Sequence, residues 1–316
     1  MIVTTNLSHG ITSRSITGFF LFFILLFASI PILYAQQNQP VPAFWSHRFS
    51  MVKDVPYGKD EQQRLDLFMQ GSWVGEPSYF KPAPTKRPTL LYMHGGGWVG
   101  GDKESRIGLL IHYLERGWNV VNIEYRKGNN TAPQAVEDVL AAVKWVAENG
   151  EKFNIDTENL VLSGESAGGH LCLIAGLMNS VPGSHPAYVG DKVTIRAIIN
   201  WFGVSDIARA DEFLKGTKWN YVEDWVGDKN KIEEVSKKYS PLYYITPKAP
   251  PILSIHGTKD GVVPFTQSQL LHEALEKAGT KNQLLSLRDG KHMGFTEEQF
   301  QLIDRTIFAF LEEVMD

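Results

Sequence analysis

The sequence predicts an α/β fold: a mostly parallel sheet with helices on both faces. Strand-like and helix-like segments alternate along most of the 316 residues, the order that builds strand–helix–strand crossovers. The strand-like runs are almost continuously apolar, as strands buried on both faces must be. Four of them end in polar, glycine-bearing loops, "HGGGW", "GESAGG", "HGTKDG" and "RDGKHMG". In open parallel sheets ligands collect at the carboxyl ends of the strands, so these four loops can share one crevice.

The chain begins with an apolar, uncharged stretch running from Ser15 past Pro40, preceded by Arg14. This reads as a signal peptide over residues 1–35, with "LYA" before "QQ" as the cleavage site and a secreted or periplasmic location. An uncleaved membrane anchor is the competing reading, since the stretch approaches spanning length. Pro31 and the small Ala35 favour cleavage, which would leave no stable membrane partner. Residues 36–48 read as a proline-marked linker, and residues 49–316 as one domain.

Within that domain "FSMVKDVPY" and "RLDLFM" read as strands, and "GEPSYFKPAPTKRP" as a surface connection. "TLLYMHGGGW" and "WNVVNIEYR" are apolar strands. "PQAVEDVLAAVKWVAEN" places Val136, Val139, Leu140, Val143 and Val146 at helical spacing, with proline in its first turn. "NLVL" is a buried strand that runs into the helix "AGGHLCLIAGLM". "TIRAIINWFG" is a strand, and residues 204–240, polar and aromatic, break the rhythm as a small cap insertion. "APPILSIHG", "PFTQSQLLHEALEKAG", "NQLLSLRDG" and "EEQFQLIDRTIFAFLEEV" then read as strand, helix, strand and helix.

Composition narrows the function. The chain is 43% hydrophobic and 21% charged, with a formal net charge of −4, so it has no basic field for nucleic acid. Cys172 is the only cysteine, which excludes an intrachain disulfide. Its setting, "LCLIAGL", is that of a buried small hydrophobe.

The chemistry centres on Ser166, flanked by Gly164 and Gly168 in the pattern G-x-S-x-G at a strand-to-helix seam. One reading is a serine lifted onto a strained elbow with its hydroxyl exposed; the other is a glycine-rich turn with an incidental serine. A serine hydroxyl needs a base and an orienting acid to attack a carbonyl. Asp260, in a loop after a strand, and His292, between the last strand and last helix, supply them in the order Ser, acid, His. Asp206 is an alternative acid whose plainer role is a helix cap, and Asp289 reads as a turn residue. His256 suits a structural hydrogen bond, His170 local packing and His94 bracing of its loop. His112, His185 and His272 fall on helices or exposed loops with nothing around them. In "HGGGW" the N–H groups of Gly96 and Gly97, with that of Ala167, can stabilise an oxyanion. Trp219, Tyr221 and Trp225 of the insertion, with Trp98 and Trp201 beneath, form either a substrate rim or the insertion's own core.

The motifs "HGGGW", "GESAGG", "HGTKDGVVP" and "GKHMGF" resemble those of α/β-hydrolase-fold serine esterases with an HGGG oxyanion motif. That group includes hormone-sensitive-lipase-like carboxylesterases and bacterial feruloyl or acetylxylan esterases. The resemblance covers residues 50–314. It implies an α/β-hydrolase fold, Ser166, Asp260 and His292 as triad, and Gly96, Gly97 and Ala167 as oxyanion hole. It also implies no metal or organic cofactor, and a small-molecule or oligosaccharide ester as substrate. The tryptophan after the glycines and "GDK" at residues 101–103 look closer to the carbohydrate esterases, and no large N-terminal lid is evident. Short-acyl or feruloyl esters on plant polysaccharide are the substrates this suggests. "HGTKDGVVPFTQSQLL" is also similar to prolyl-oligopeptidase-type peptidases, without their propeller. A non-catalytic binding module on the same fold is the third reading.

Overall fold

The computed structural model describes residues 49–73, 80–82 and 86–315. The signal-peptide and linker expectations, on residues 1–35 and 36–48, lie outside them. The strands are β1 (Phe49–Pro56), β2 (Arg64–Trp73), β3 (Phe80–Pro82), β4 (Arg87–Met93) and β5 (Asn119–Ile123). They continue with β6 (Ile155–Glu165), β7 (Ile195–Trp201), β8 (Ile252–Gly257) and β9 (Asn282–Leu287). Among the described residues they form one sheet in the order β1-β2-β5-β4-β6-β7-β8-β9, with β3 pairing β2 off that path. β1, β2 and β3 pair antiparallel, β2 meets β5 antiparallel, and β5 through β9 are parallel.

Because side chains alternate along a strand, each central strand feeds two cores. Leu91 and Met93 of β4, Leu160 and Leu162 of β6, and Ile198 of β7 enter one. Their neighbours Leu90, Tyr92, Val161, Ala197 and Ile199 enter the other. The first core is closed by α2 (Gln134–Asn149), α3 (Ala167–Asn179) and α7 (Thr266–Ala278). The second is closed by α1 (Ile107–Glu115) and α8 (Glu297–Met315). Burial on both faces explains why these strands read as unbroken apolar runs.

Residues 204–240 resolve into three short helices, α4 (Ile207–Leu214), α5 (Tyr221–Val226) and α6 (Ile232–Tyr239). Asp206 caps α4 by accepting from the Arg209 N–H, and Asn220 caps α5 through the N–H groups of Val222 and Glu223. Their apolar positions, Ile207, Leu214, Val222, Trp225 and Ile232 among them, join the first core. Two elements were not foreseen. α1 was not read from its sequence, and the connection at "GEPSYFKPAPTKRP" contains β3.

Candidate active site

β6 delivers its last residue, Glu165, and the chain reverses into α3 through Ser166, which has φ 58° and ψ −116°. A non-glycine residue in that region is strained and persists only when its surroundings impose it. The Ser166 N–H donates to the Trp201 carbonyl at 2.9 Å, and its own carbonyl accepts from the His170 N–H at 3.0 Å. The end of β4 presses on the elbow so closely that a Cβ at Gly168 would lie 2.1 Å from the Met93 carbonyl oxygen. Glu165 accepts from the Tyr92 hydroxyl at 2.6 Å and from Arg106 Nε at 3.0 Å, tying the elbow to β4 and to the segment before α1.

The loop after β4 carries the glycines. Gly96 has φ 124°, and its carbonyl accepts from the N–H groups of Val99 and Gly100. Among the described residues no acceptor takes the N–H of Gly96, Gly97 or Ala167. His94 lies at the base of the loop, with Nδ1 2.7 Å from the Gly95 carbonyl and Nε2 3.0 Å from Glu124 Oε1. Glu124 Oε2 accepts from the Lys103 N–H at 3.1 Å, so one carboxylate clamps both ends of the loop. Burial alone would raise the Glu124 pKa, but hydrogen bonds from His94 and Lys127 pull it down to about 2.

Asp260 and His292 come together from the loops after β8 and β9. His292 Nδ1 donates to Asp260 Oδ2 at 2.7 Å. The carboxylate also accepts from the N–H groups of Val262 and Val263. Burial would raise the Asp260 pKa; hydrogen bonds from His256 and His292 hold it well below the usual carboxylate range. Serine and histidine each adjoin one of two consecutive residues. Trp201 takes the Ser166 N–H, and the Phe202 ring lies 4.6 Å from the His292 imidazole. Among the described residues the Ser166 hydroxyl has no hydrogen-bond partner. Catalytic bonds are often long without substrate and tighten in the complex.

The aromatic rim needs correction. Trp98 and Trp225 are fully buried and stack at 4.4 Å, so they are core and not rim. Tyr221 and Trp201 are also buried. Trp219 is 47% exposed, and a Cβ on Gly97 would lie 3.2 Å from its ring. Of the five aromatic residues, Trp219 therefore presents an open ring beside a loop glycine.

The histidines expected to have nothing around them all have partners. His112 Nδ1 lies 3.3 Å from Asp304 Oδ1, His272 Nδ1 lies 2.8 Å from Asn282 Oδ1, and His185 Nδ1 accepts from the Ala187 N–H. His170 bonds far beyond its own helix turn, accepting from Trp98 Nε1 at 3.2 Å and reaching the Tyr239 carbonyl at 2.9 Å.

Sequence reasoning missed Glu124, Lys103 and Phe202, because each acts on a partner distant along the chain. "GDK" after the glycines was the available signal for Lys103. Beside the site, a cavity of ≈ 30 Å³ lined by Glu165, Phe202, Met293 and Gly294 adjoins one of ≈ 280 Å³ between α1 and α8. Leu109, Trp201 and Phe300 line both.

A family model described as BD-FAE matches residues 79–275. The chain is 29% identical to Esterase LipQ of Mycobacterium tuberculosis over 236 residues, which are 73% of this chain and 54% of LipQ. It therefore spans about half the length of that relative. It is 28% identical to Esterase LipC of the same organism, over 89% of this chain and 72% of LipC. The structure of a truncated carbohydrate esterase from gut microbiota superposes with a TM-score of 0.68 at 23% identity, over 87% of this chain and 100% of that one. At that identity the likeness shows the α/β-hydrolase fold alone.

Proposed function

This chain belongs to the BD-FAE family, and from that premise we propose that it is a serine esterase that cleaves carboxylic esters through an acyl-enzyme. The observations that support this reading are the 2.7 Å bond from His292 Nδ1 to Asp260 Oδ2 and a serine held at φ 58°. With Nδ1 protonated, Nε2 is left as the base that takes the Ser166 proton. Oγ attacks the ester carbonyl, and the carbonyl oxygen becomes an oxyanion that the N–H groups of Gly96, Gly97 and Ala167 receive. Such donors each lower the barrier by about 3 kcal/mol. The imidazolium, stabilised by Asp260, returns its proton to the departing alcohol. Water activated by His292 then hydrolyses the acyl-enzyme, releasing the acid and restoring Ser166.

The substrates are short-acyl or feruloyl esters on plant polysaccharide, encountered outside the cytoplasm after removal of residues 1–35. The open Trp219 ring beside Gly97 supports a substrate with a ring to stack, a sugar or an aromatic acid. Hydrolysis of acetyl, butyryl, longer acyl and feruloyl esters, free and xylan-bound, tests the reading. Activity is expected to fall steeply beyond short linear acyl chains. Ser166→Ala is expected to lower kcat by about 10⁴-fold or more. Undiminished turnover in that variant would remove the mechanism, and a flat chain-length profile would remove the substrate assignment.

A further inference from the structure

Asp260 Oδ2, which accepts from His292, has a second imidazole within reach: His256 Nε2 lies 3.3 Å away. The neighbours of His256 determine its tautomer. Nε2 also lies 3.0 Å from the Val263 carbonyl oxygen, which can only accept, so the proton is on Nε2. With Nε2 protonated, Nδ1 accepts from the Ser268 hydroxyl at 2.8 Å. His256 and Ser268 are both fully buried, which removes water as a competing partner. Phe202, at φ 40° and 1% exposed, has its ring 4.6 Å from His292 and 6.3 Å from His256. The two imidazoles thus flank one buried ring and share one carboxylate oxygen.

We propose that His256 is a positioning residue for the reaction: its N–H, held on the Val263 carbonyl and 3.3 Å from Asp260 Oδ2, fixes the turn that donates to the carboxylate, and so sets the carboxylate's aim and how strongly it supports a proton on His292. This rests on the serine-esterase reading. An N–H dipole 3.3 Å from Oδ2 draws charge from the oxygen that His292 faces. Removing it leaves a more basic carboxylate, which raises the basicity of His292 and loosens its orientation. The low pKa of Asp260, to which both histidines contribute, agrees with a shared oxygen. The titratable and charged groups facing the pair are Asp260 and His292 themselves, Tyr221, whose hydroxyl donates to the Val262 carbonyl, and the exposed Lys259–Asp289 ion pair joining the two loops.

The test is the pH dependence of kcat/KM on 4-nitrophenyl acetate for the full chain and for His256→Leu, His256→Gln and Ser268→Ala. In His256→Leu the acid limb is expected to move up by roughly half to one pH unit, with kcat down about fivefold and KM unchanged. His256→Gln, whose amide can donate from the same place, is expected to stay near wild type. Ser268→Ala removes the hydroxyl that anchors Nδ1, and with it the ring's orientation, and is expected to shift the limb in the same direction as His256→Leu. It carries the test if circular dichroism shows His256→Leu unfolded. An acid limb superimposed on wild type in the folded variants overturns the proposal, as does a Gln variant that shifts as far as Leu. If the wild-type chain hydrolyses no ester, the esterase reading fails separately. The rate of Ser166 labelling by a fluorophosphonate then supplies the same pH limb, with a shift supporting the role of His256 and coincidence overturning it.

Discussion

Trp98 follows Gly97 at φ 61°, and its indole N–H donates to His170 on the elbow helix, whose other nitrogen reaches the Tyr239 carbonyl at the end of α6. One buried side chain thus joins the glycine loop, the elbow and the inserted helices. Burial pushes the His170 pKa down from 6.5 to about 4, because the charged ring loses its solvation. Between those values the unfolded chain binds more protons than the folded one. Stability is therefore fully present above about pH 6.5 and declines as pH falls toward 4, by on the order of 3 kcal/mol. The loss from Glu124, whose pKa falls from 4.5 to about 2, comes in the more acid window between those values. The midpoint of thermal unfolding is expected to fall between pH 6.5 and 4. In His170→Gln, which has no proton to take up, that slope should flatten; an unchanged slope would assign it to other groups.

Among the elements, the β1–β2 hairpin is bound to the glycine loop by charge. Lys103 is 4% exposed, with Nζ 2.9 Å from Asp54, 3.1 Å from Asp66 and 2.9 Å from Glu104. Burial would lower its pKa, but hydrogen bonds to the three carboxylates keep it above the usual lysine range. A buried charge stripped of its partner is costly, so Lys103→Met is expected to destabilise the fold by about 3–5 kcal/mol. Adding Asp66→Asn removes the orphaned carboxylate, and urea denaturation should show part of the loss recovered. No recovery would mean that the lysine stem, and not its charge, supports the hairpin. Because Lys103 also donates its N–H to Glu124, the same element fixes the far end of the loop that starts at His94.

Over the whole molecule, the second core opens toward the site. The cavity of ≈ 280 Å³ between α1 and α8 is lined by Trp201, Phe300, Ile303 and Ile307, and it meets the smaller one beside Phe202 and Met293. Trp201 thus links the two levels: its carbonyl holds the Ser166 N–H and its side chain lines the groove. Leu109→Trp, filling the wall both cavities share, is expected to lower kcat/KM for aryl esters by about tenfold. Acetyl esters should be unaffected. Equal loss on both classes would show that the groove supports the site without receiving substrate.

The alternation of apolar runs and glycine loops determined the layered sheet and the order of its strands and helices along the chain, because burial on both faces leaves a local pattern. The same local signals singled out Ser166, Asp260 and His292, since an elbow and two post-strand loops have few ways to be built. α1 and β3 left weaker signals and emerged only in the folded chain. Tertiary structure alone decided which aromatic side chains stay open, placing Trp98 and Trp225 in the core and leaving Trp219 beside Gly97. It alone paired Glu124 with His94 and Lys103, and His256 with Asp260. The reason is geometric: a side chain's burial and its polar partners are set by which elements stack against it, and that stacking joins residues whose separation along the chain carries no period.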